Sequence, residues 1–240
     1  MSLRLQPVAV TDRGLVRGKN EDALLAGARL IAVADGMGGL PAGDVASEIA
    51  VAVLAPLADG TGDRPPLEAL AEAVETANRR IAATANGDGA LSGMGTTLTA
   101  LLLTGNQIAL VHVGDSRAYL LRGGMLAQLT RDDTYVQALV DRGALTPAEA
   151  HRHPHRSLVT QALQGREISI ARRTLDACPG DRLLVCSDGL SDLVEDEDIE
   201  AALRDLPDRE ACASRLVELA LAAGGIDNVT AVVADVLDSE

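Results

Sequence analysis

Apolar and polar positions along the chain alternate between two periods. Short aliphatic, β-branched runs recur near Val8 and at 30–34, 97–103, 108–113, 118–121, 168–174, 182–186 and 230–236. Each is bounded by glycine or polar residues, so each is predicted to be a strand. Residues 42–57 and 67–85 instead place apolar side chains three and four apart among helix formers, with Pro66 where a helix can start. A second helical pair, 196–203 and 209–222, follows the later strands. Gly105-Asn106 and Gly123-Gly124 are hairpin signals between neighbouring strands. The sheets are therefore expected to be largely antiparallel, and helix pairs separated by runs of strands predict a layered α+β fold.

Two segments interrupt this pattern. The loop ADGTGDRPP at 58–66 has linker composition, but the helical runs on either side both need a sheet to cover, so it is not expected to divide domains. Residues 130–157 are charged, contain a predicted short helix in DDTYVQALVDRG and continue as TPAEAHRHPHRS. They are expected to form an insertion packed on the outside of a single domain, 1–240. No internal repeat or low-complexity tract is present.

Composition narrows the partners. Hydrophobic residues make up 47% of the 240, yet there is no Trp or Phe and only two Tyr, so the core must be built from Ala, Val, Leu and Ile. A formal charge of −14 opposes binding to a phosphate backbone, and the lack of aromatics removes base stacking, so nucleic acid is not an expected partner. Cys178, Cys186 and Cys212 are an odd number without CxxC spacing; they suit a reducing compartment and are expected to be small buried hydrophobes. Six positions beyond them stand Leu184, Asp192 and Glu218, which excludes the Cys-x5-Arg phosphatase chemistry. A phosphate-cradling P-loop is absent. The N-terminus lacks a signal-peptide core and the longest apolar run, about 49–57, is too short for a membrane span. A cytoplasmic protein, or the cytoplasmic domain of a longer membrane-anchored one, is expected, with no membrane contact by this chain and a monomeric state.

The candidate chemistry lies where strands end. VADGMGG (33–39), LVHVGDS (110–116) and LLVCSDG (183–189) each run an apolar strand into an acid: Asp35, Asp115 and Asp188. In GGIDNVTAVVAD (224–235), Asp227 precedes a strand, which an antiparallel sheet can bring to the same edge. RGKNED (17–22) adds Glu21 and Asp22 beside Arg17. Any one of these acids could serve only a turn, and spacing alone leaves both readings of the set open. If the acids converge, their repulsion calls for cations. An oxygen-only donor set with glycines nearby suits hard ions such as Mg²⁺ or Mn²⁺ rather than zinc. A metal pair of that kind hydrolyses phosphate esters, and Arg17 could fork two phosphate oxygens.

RGKNEDA, VADGMGG, GMGTTLTALLL, VHVGDSRAYLLR, LTRDDT, LLVCSDGLSD and GGIDNVT stand in an order that resembles bacterial PP2C-type (PPM family) metal-dependent Ser/Thr protein phosphatases, most of all the catalytic domains of actinobacterial members that oppose Ser/Thr protein kinases. The resemblance spans nearly the whole chain. It implies a four-layer αββα sandwich, two largely antiparallel sheets flanked by helix pairs, with a flap at about 130–157. It further implies two Mn²⁺ or Mg²⁺ ions bridged by Asp35, with the Gly36 carbonyl, Asp188 and Asp227 completing the protein ligands of one ion. Asp22 would hold metal-bound water, with Glu21 behind it. Arg17 would bind phosphate, and Asp115 with Asp188 would make a third-ion site. The implied substrates are phosphorylated proteins, including Ser/Thr protein kinases; the alternative is a catalytically inert phosphoprotein-binding or regulatory module of the same fold. In one respect the chain departs from eukaryotic relatives: Met37 stands where they carry a histidine proposed as general acid, so that role does not transfer.

The histidines remain. His151, His153 and His155 lie within HRHPHRS, where Pro154 breaks the regular spacing a zinc site would want. With Arg152 and Arg156 they are expected to form a solvated, locally basic flap facing acidic phosphopeptides. His112, inside an apolar run, is expected to be a hydrogen-bonded core histidine.

Overall fold

The computed structural model describes residues 3–37 and 42–239. The chain starts with β1 (Leu3–Asp12), β2 (Ala23–Ala26), β3 (Leu30–Ala34) and the two-residue β4 (Gly36–Met37). The helix pair α1 (Gly43–Leu54) and α2 (Pro66–Gly87) follows, with a tight 3-10 turn, Ala55–Ala58, after α1. Next come β5 (Gly95–Thr96), β6 (Leu98–Thr104), β7 (Gln107–Val113), β8 (Arg117–Arg122) and β9 (Met125–Gln128). The flap holds α3 (Tyr135–Asp141) and α4 (Pro147–His151), each started by a threonine whose hydroxyl accepts a backbone N–H of the first turn. The rest is β10 (Ala171–Asp176), β11 (Arg182–Cys186), the one-turn α5 (Asp188–Ser191), α6 (Asp196–Asp205), α7 (Arg209–Ala222) and β12 (Val229–Asp238).

One five-stranded sheet has the order β1-β12-β11-β8-β9 and the other β10-β7-β6-β3-β2; every pairing between these strands is antiparallel. Strand alternation sorts the side chains into three apolar layers. Ile31 and Val33 of β3 face Val185 and Val232 between the sheets. Their neighbours Leu30, Ala32 and Ala34 point outward onto Ala46, Ala50, Leu70 and Ile81 of the first helix pair. On the opposite flank Leu184, Cys186 and Val233 pack on Ile199, Leu203 and Leu216 of the second pair. This is the expected four-layer order. The central strands of both sheets are buried on both faces, which explains why they read as continuous apolar runs.

Differences from the sequence reading fall at short or edge elements. The run expected at 168–174 pairs only from Ala171 and continues to Asp176, as an edge strand exposed along most of its length. The four-residue β2 and β9, the two-residue β4 and β5, α4 and α5 carried too little periodicity to be predicted. Cys178 is exposed rather than buried. It sits in the turn into β11, where the chain needs Pro179-Gly180 and the Asp181 carboxylate accepts the Cys178 N–H at 2.8 Å. Gly38 and Gly39 of the VADGMGG motif lie outside the described residues.

Candidate metal and phosphate site

The ends of β3, β7 and β11 and the start of β12 meet at one rim, and hydroxyls brace them. The Asp35 N–H donates to Thr97 Oγ1 at 3.1 Å, and the Asp35 carbonyl accepts from Thr97 N and Thr96 Oγ1, both at 2.9 Å. Thr97 Oγ1 in turn lies 2.8 Å from Ser116 Oγ, which follows Asp115. Thr99 links the same Ser116 carbonyl to His112 Nδ1, both at 2.8 Å. His112 also reaches the Arg131 carbonyl at 3.1 Å, so it is the expected core histidine. Behind Asp188, Ser187 N donates to the Thr230 carbonyl, joining β11 to β12 beside Asp227.

Close backbone approach completes the rim. A Cβ on Gly189 would lie 1.9 Å from the Asn228 carbonyl oxygen, so only glycine lets the turn after Asp188 pass the turn after Asp227. A Cβ on Gly36 would lie 2.4 Å from the Gly43 carbonyl oxygen and 2.5 Å from that of Glu21. Asn228 ties the N-terminal loop down: its amide accepts from Glu21 N and donates to the Arg13 and Lys19 carbonyls, each at 2.9 Å.

The acids are coupled. Asp35 and Asp188 act on one another's proton affinity, Asp188 raising that of Asp35. Burial and then repulsion from Asp22, Asp188 and Asp115 hold the Asp35 carboxyl well above the ordinary range. Burial, followed by repulsion from Asp192 and Asp227, pushes Asp188 up to about 7. Asp115 is also raised well above its usual value by burial, then by Asp188, Asp132 and Asp192. Burial lifts Asp22 to about 6 even though Thr230 Oγ1 and Ser187 Oγ donate to its Oδ2 at 2.6 and 2.9 Å. Asp227 is the satisfied member: its Oδ2 accepts from Arg17 at 2.6 Å and its Oδ1 from Asn228 N at 2.8 Å. Arg17, half-exposed, thus stands at the mouth of the cluster. Glu21 lies behind, raised by burial and then by Asp44.

These residues fit hard divalent ions. Among the described residues no three acidic, His or Cys side chains already form a ready cage; Asp227 is relieved by Arg17. Asp22 Oδ1, Asp44 Oδ1 and Asp188 Oδ1 are buried with no hydrogen-bond partner. Buried carboxylate oxygens without donors are costly, and a cation satisfies them. The donors are all oxygens, as Mg²⁺ and Mn²⁺ prefer.

Two acids escaped the sequence reading. Asp192 stands one turn after Asp188, its N–H donating to the Asp188 carbonyl at 2.8 Å; the i, i+4 spacing within SDGLSD was a legible signal. Asp44, ion-paired to Lys19, sits in the first turn of α1 and had no sequence signal beyond its charge. The basic flap expected to face substrate turns partly inward. Arg156 Nε lies 3.4 Å from Asp192, Ser157 Oγ donates to the same carboxylate at 2.9 Å, and His151 Nε2 lies 3.4 Å from Glu195. The acids at 192 and 195–198 outweigh the field of the open surface. His153 and His155 pack against Tyr135 instead, with rings tilted or edge-on.

Comparison with known proteins places this geometry. The family profile described as protein phosphatase 2C matches residues 17–223. The serine/threonine protein phosphatase PstP of Mycobacterium tuberculosis is 55% identical over 238 residues, which cover 99% of this chain and 46% of that protein. The chain therefore spans about half the length of that curated relative. The serine/threonine phosphatase stp of Listeria monocytogenes is 35% identical over 231 residues, covering 92% of this chain and 91% of that one. The crystal structure of the catalytic domain of PstP in complex with two manganese ions superposes with a TM-score of 0.91 at 53% identity, covering 99% of this chain and all of that one. Match and architecture agree over nearly the full length: the chain belongs to the protein phosphatase 2C family.

Proposed function

We propose that this chain is a divalent-metal-dependent phosphatase that hydrolyses phosphoserine and phosphothreonine in proteins, opposing Ser/Thr protein kinases. The observation that carries this reading is the convergence of Asp35 and Asp188 within repulsive reach of Asp22 and Asp227, with partnerless buried oxygens at a rim whose mouth is Arg17. Asp35, Gly36, Asp188 and Asp227 would hold the core pair of Mn²⁺ or Mg²⁺ ions, with Asp22 and Glu21 behind them. Asp115 with Asp188 would hold a third. Such ions supply Lewis-acid polarisation of the phosphate and hydroxide at neutral pH.

The chain's own residues do the rest. Arg17 binds the phosphate oxygens by exchanging part of its bond to Asp227, contributing about 1.5–3 kcal/mol per charge-assisted bond. The hydroxyls of Ser187 and Thr230 hold Asp22 oriented, and those of Thr96 and Thr97 hold the Asp35 backbone. With Met37 in place of a histidine, no side chain at that position delivers the leaving-group proton.

The whole chain is read as one catalytic domain, 1–240, monomeric and cytoplasmic or attached on the cytoplasmic side through a longer protein. Its expected partners are phosphorylated proteins, Ser/Thr kinases among them. Among the described residues no helix is long and apolar enough to cross a membrane. The names of the relatives, Ser/Thr phosphatases in both cases, support the reading. The deciding experiment is hydrolysis of p-nitrophenyl phosphate and of a phosphothreonine peptide with Mn²⁺ and with EDTA. Turnover only with the ion supports the proposal; peptide binding without turnover in Mn²⁺ or Mg²⁺ would make the chain an inert binding module.

A further inference from the structure

A cavity of about 500 Å³ opens between the flap helices and the start of α6. Six acids line it: Asp115, Asp132, Asp192, Glu195, Asp196 and Glu197. Only three basic side chains share the lining, Arg117, Arg156 and His151, so acids outnumber bases two to one. Arg117 is committed, donating from Nε and Nη2 to Asp132 at 3.0 and 2.7 Å and from Nη1 to the Tyr119 hydroxyl at 3.1 Å. Arg156 and His151 each lean on one acid of the wall. The wall thus already accepts basic side chains of the chain itself.

A second observation points to a missing partner. Ser191 is among the lining residues, and its hydroxyl is buried with no hydrogen-bond partner. A buried hydroxyl left unmatched is unfavourable by about 1–3 kcal/mol. Val136, Val140 and Val194 line the same space and offer an apolar track for an aliphatic stem.

We propose that this cavity is a subsite for a lysine or arginine side chain of the phosphoprotein, close in sequence to the phosphorylated residue. This rests on the phosphatase reading and specifies its substrate class. A guanidinium has five donors and no acceptor, so it can serve the Ser191 oxygen and two carboxylates together. The floor adjoins the reaction centre: Asp192 is one turn from Asp188, and Asp115 bears electrostatically on Asp35. A helical turn of about 5.4 Å corresponds to about two residues of extended peptide. The basic residue is therefore expected within about three positions of the phosphoresidue. Because Arg156 and His151 face inward, the flap presents this acidic wall, and not a basic face, to the substrate beside it.

The test uses the full chain with Mn²⁺ and phosphothreonine peptides carrying Arg, Leu or Glu singly at the three positions on either side, with p-nitrophenyl phosphate as the control that cannot reach the cavity. At one of these positions Arg should raise kcat/KM about tenfold over Leu, mainly through KM, the size of one charge-assisted bond. The double substitution Glu195→Gln/Glu197→Gln should remove most of that preference and leave p-nitrophenyl phosphate turnover unchanged. Ser191→Ala, with an unchanged melting temperature, should reduce it as well. Equal rates with Arg and Leu at every position, or a preference that survives the double substitution, would overturn the subsite. So would a double variant that changes only the Mn²⁺ concentration needed for turnover, which would make the cavity an ion site. Absence of p-nitrophenyl phosphate turnover in the wild type would refute the phosphatase reading itself.

Discussion

Replacing Asp188 by asparagine should make the ion-free protein more stable while removing its response to metal. The Asp188 carboxyl is buried, lies among Asp35, Asp192, Asp227 and Asp22, and has one oxygen without a donor. Its rise from the ordinary 3.8 to about 7 corresponds to a penalty of about 4 kcal/mol for the charged form, at 1.36 kcal/mol per tenfold. Relaxation and water entry at an open rim remove part of this, so about 2 kcal/mol is the expected gain on neutralisation. For a chain of this size that is a rise of about 4–8 °C in melting temperature. The sign with pH follows from linkage: below 3.8 the carboxyl is protonated folded or unfolded and carries no penalty, the penalty grows as pH rises towards 7, and above that it is complete. The gain should thus be full at pH 8 and nearly absent at pH 4. Thermal melts in EDTA at both values, repeated with Mn²⁺, provide the assay. The wild type should gain about 2.7 kcal/mol at an ion concentration a hundredfold above its Kd, and the variant much less. An Asp188→Asn protein less stable than wild type in EDTA at pH 8 would refute the claim that these acids are held together against their own repulsion.

Arg17→Ala should raise KM for phosphorylated substrates by about tenfold or more with a smaller fall in kcat, the loss of one or two charge-assisted bonds; an unchanged KM would reassign Arg17 to its pair with Asp227. Gly189→Ala forces a Cβ to within 1.9 Å of the Asn228 carbonyl, so Asp188 and Asp227 must separate. Calorimetric titration should then find Mn²⁺ affinity at least tenfold weaker, and wild-type affinity would show the approach to be dispensable. Far from the site, burial alone would raise Asp235, but bonds from Arg182 and Arg209 outweigh it and hold its carboxyl below the usual value. Asp235→Asn should therefore destabilise at pH 7, by about 2–4 kcal/mol for a part-buried pair losing one partner. That loss should shrink as pH falls through the acid range where the wild-type carboxyl takes up its proton. A constant difference between pH 7 and pH 3 would show that the network acts by packing instead of charge.

How much of this was legible follows from what generates each signal. Ile31 and Val33 turn one way and Leu30, Ala32 and Ala34 the other, and because both sides are apolar the strand reads as an unbroken run that its length resolves. Arg209–Ala222 has the bounds expected from its pattern. Two-residue strands such as Gly36–Met37 have no periodicity to read; they exist because Gly36 packs backbone to backbone against Gly43 and Glu21, contacts remote in sequence. The acids at strand ends stood out because a carboxylate following an apolar run is chemically out of place, but spacing alone left turn and shared-site roles both open, and it was the order of the motifs, through the family resemblance, that pointed to a shared site. What the pattern could not convey is which acids meet and which are relieved. Asp227 is satisfied by Arg17 whereas Asp22 and Asp188 each keep a partnerless oxygen, and only coordinates separate those cases.

The bonds at the rim separate a catalytic chain from an inert one. The backbone at Asp35 is satisfied by Thr96 and Thr97 without help from its carboxyl, and Ser187 bonds to Thr230 through backbone and hydroxyl alike. The backbone of the rim would therefore keep these bonds with neutral residues in place of Asp35 and Asp188. Keeping Asp35, Asp115 and Asp188 within repulsive reach of one another and of Asp22 lowers the stability of the ion-free fold, and of these four only Asp22 gives bonds between elements in return, to Ser187 and Thr230. A module that only binds phosphoproteins through Arg17 gains nothing from that arrangement, since clustered carboxylates repel a phosphate. A bound divalent pair reverses the sign of the local field, converts each partnerless oxygen into a ligand and makes the same rim attractive to an anionic substrate. The stability the chain gives up is the difference that divalent ions recover on binding, so phosphate affinity itself should depend on Mn²⁺. Inorganic phosphate binding by the wild type that is as strong in EDTA as in Mn²⁺ would leave the carboxylates without the role argued for them.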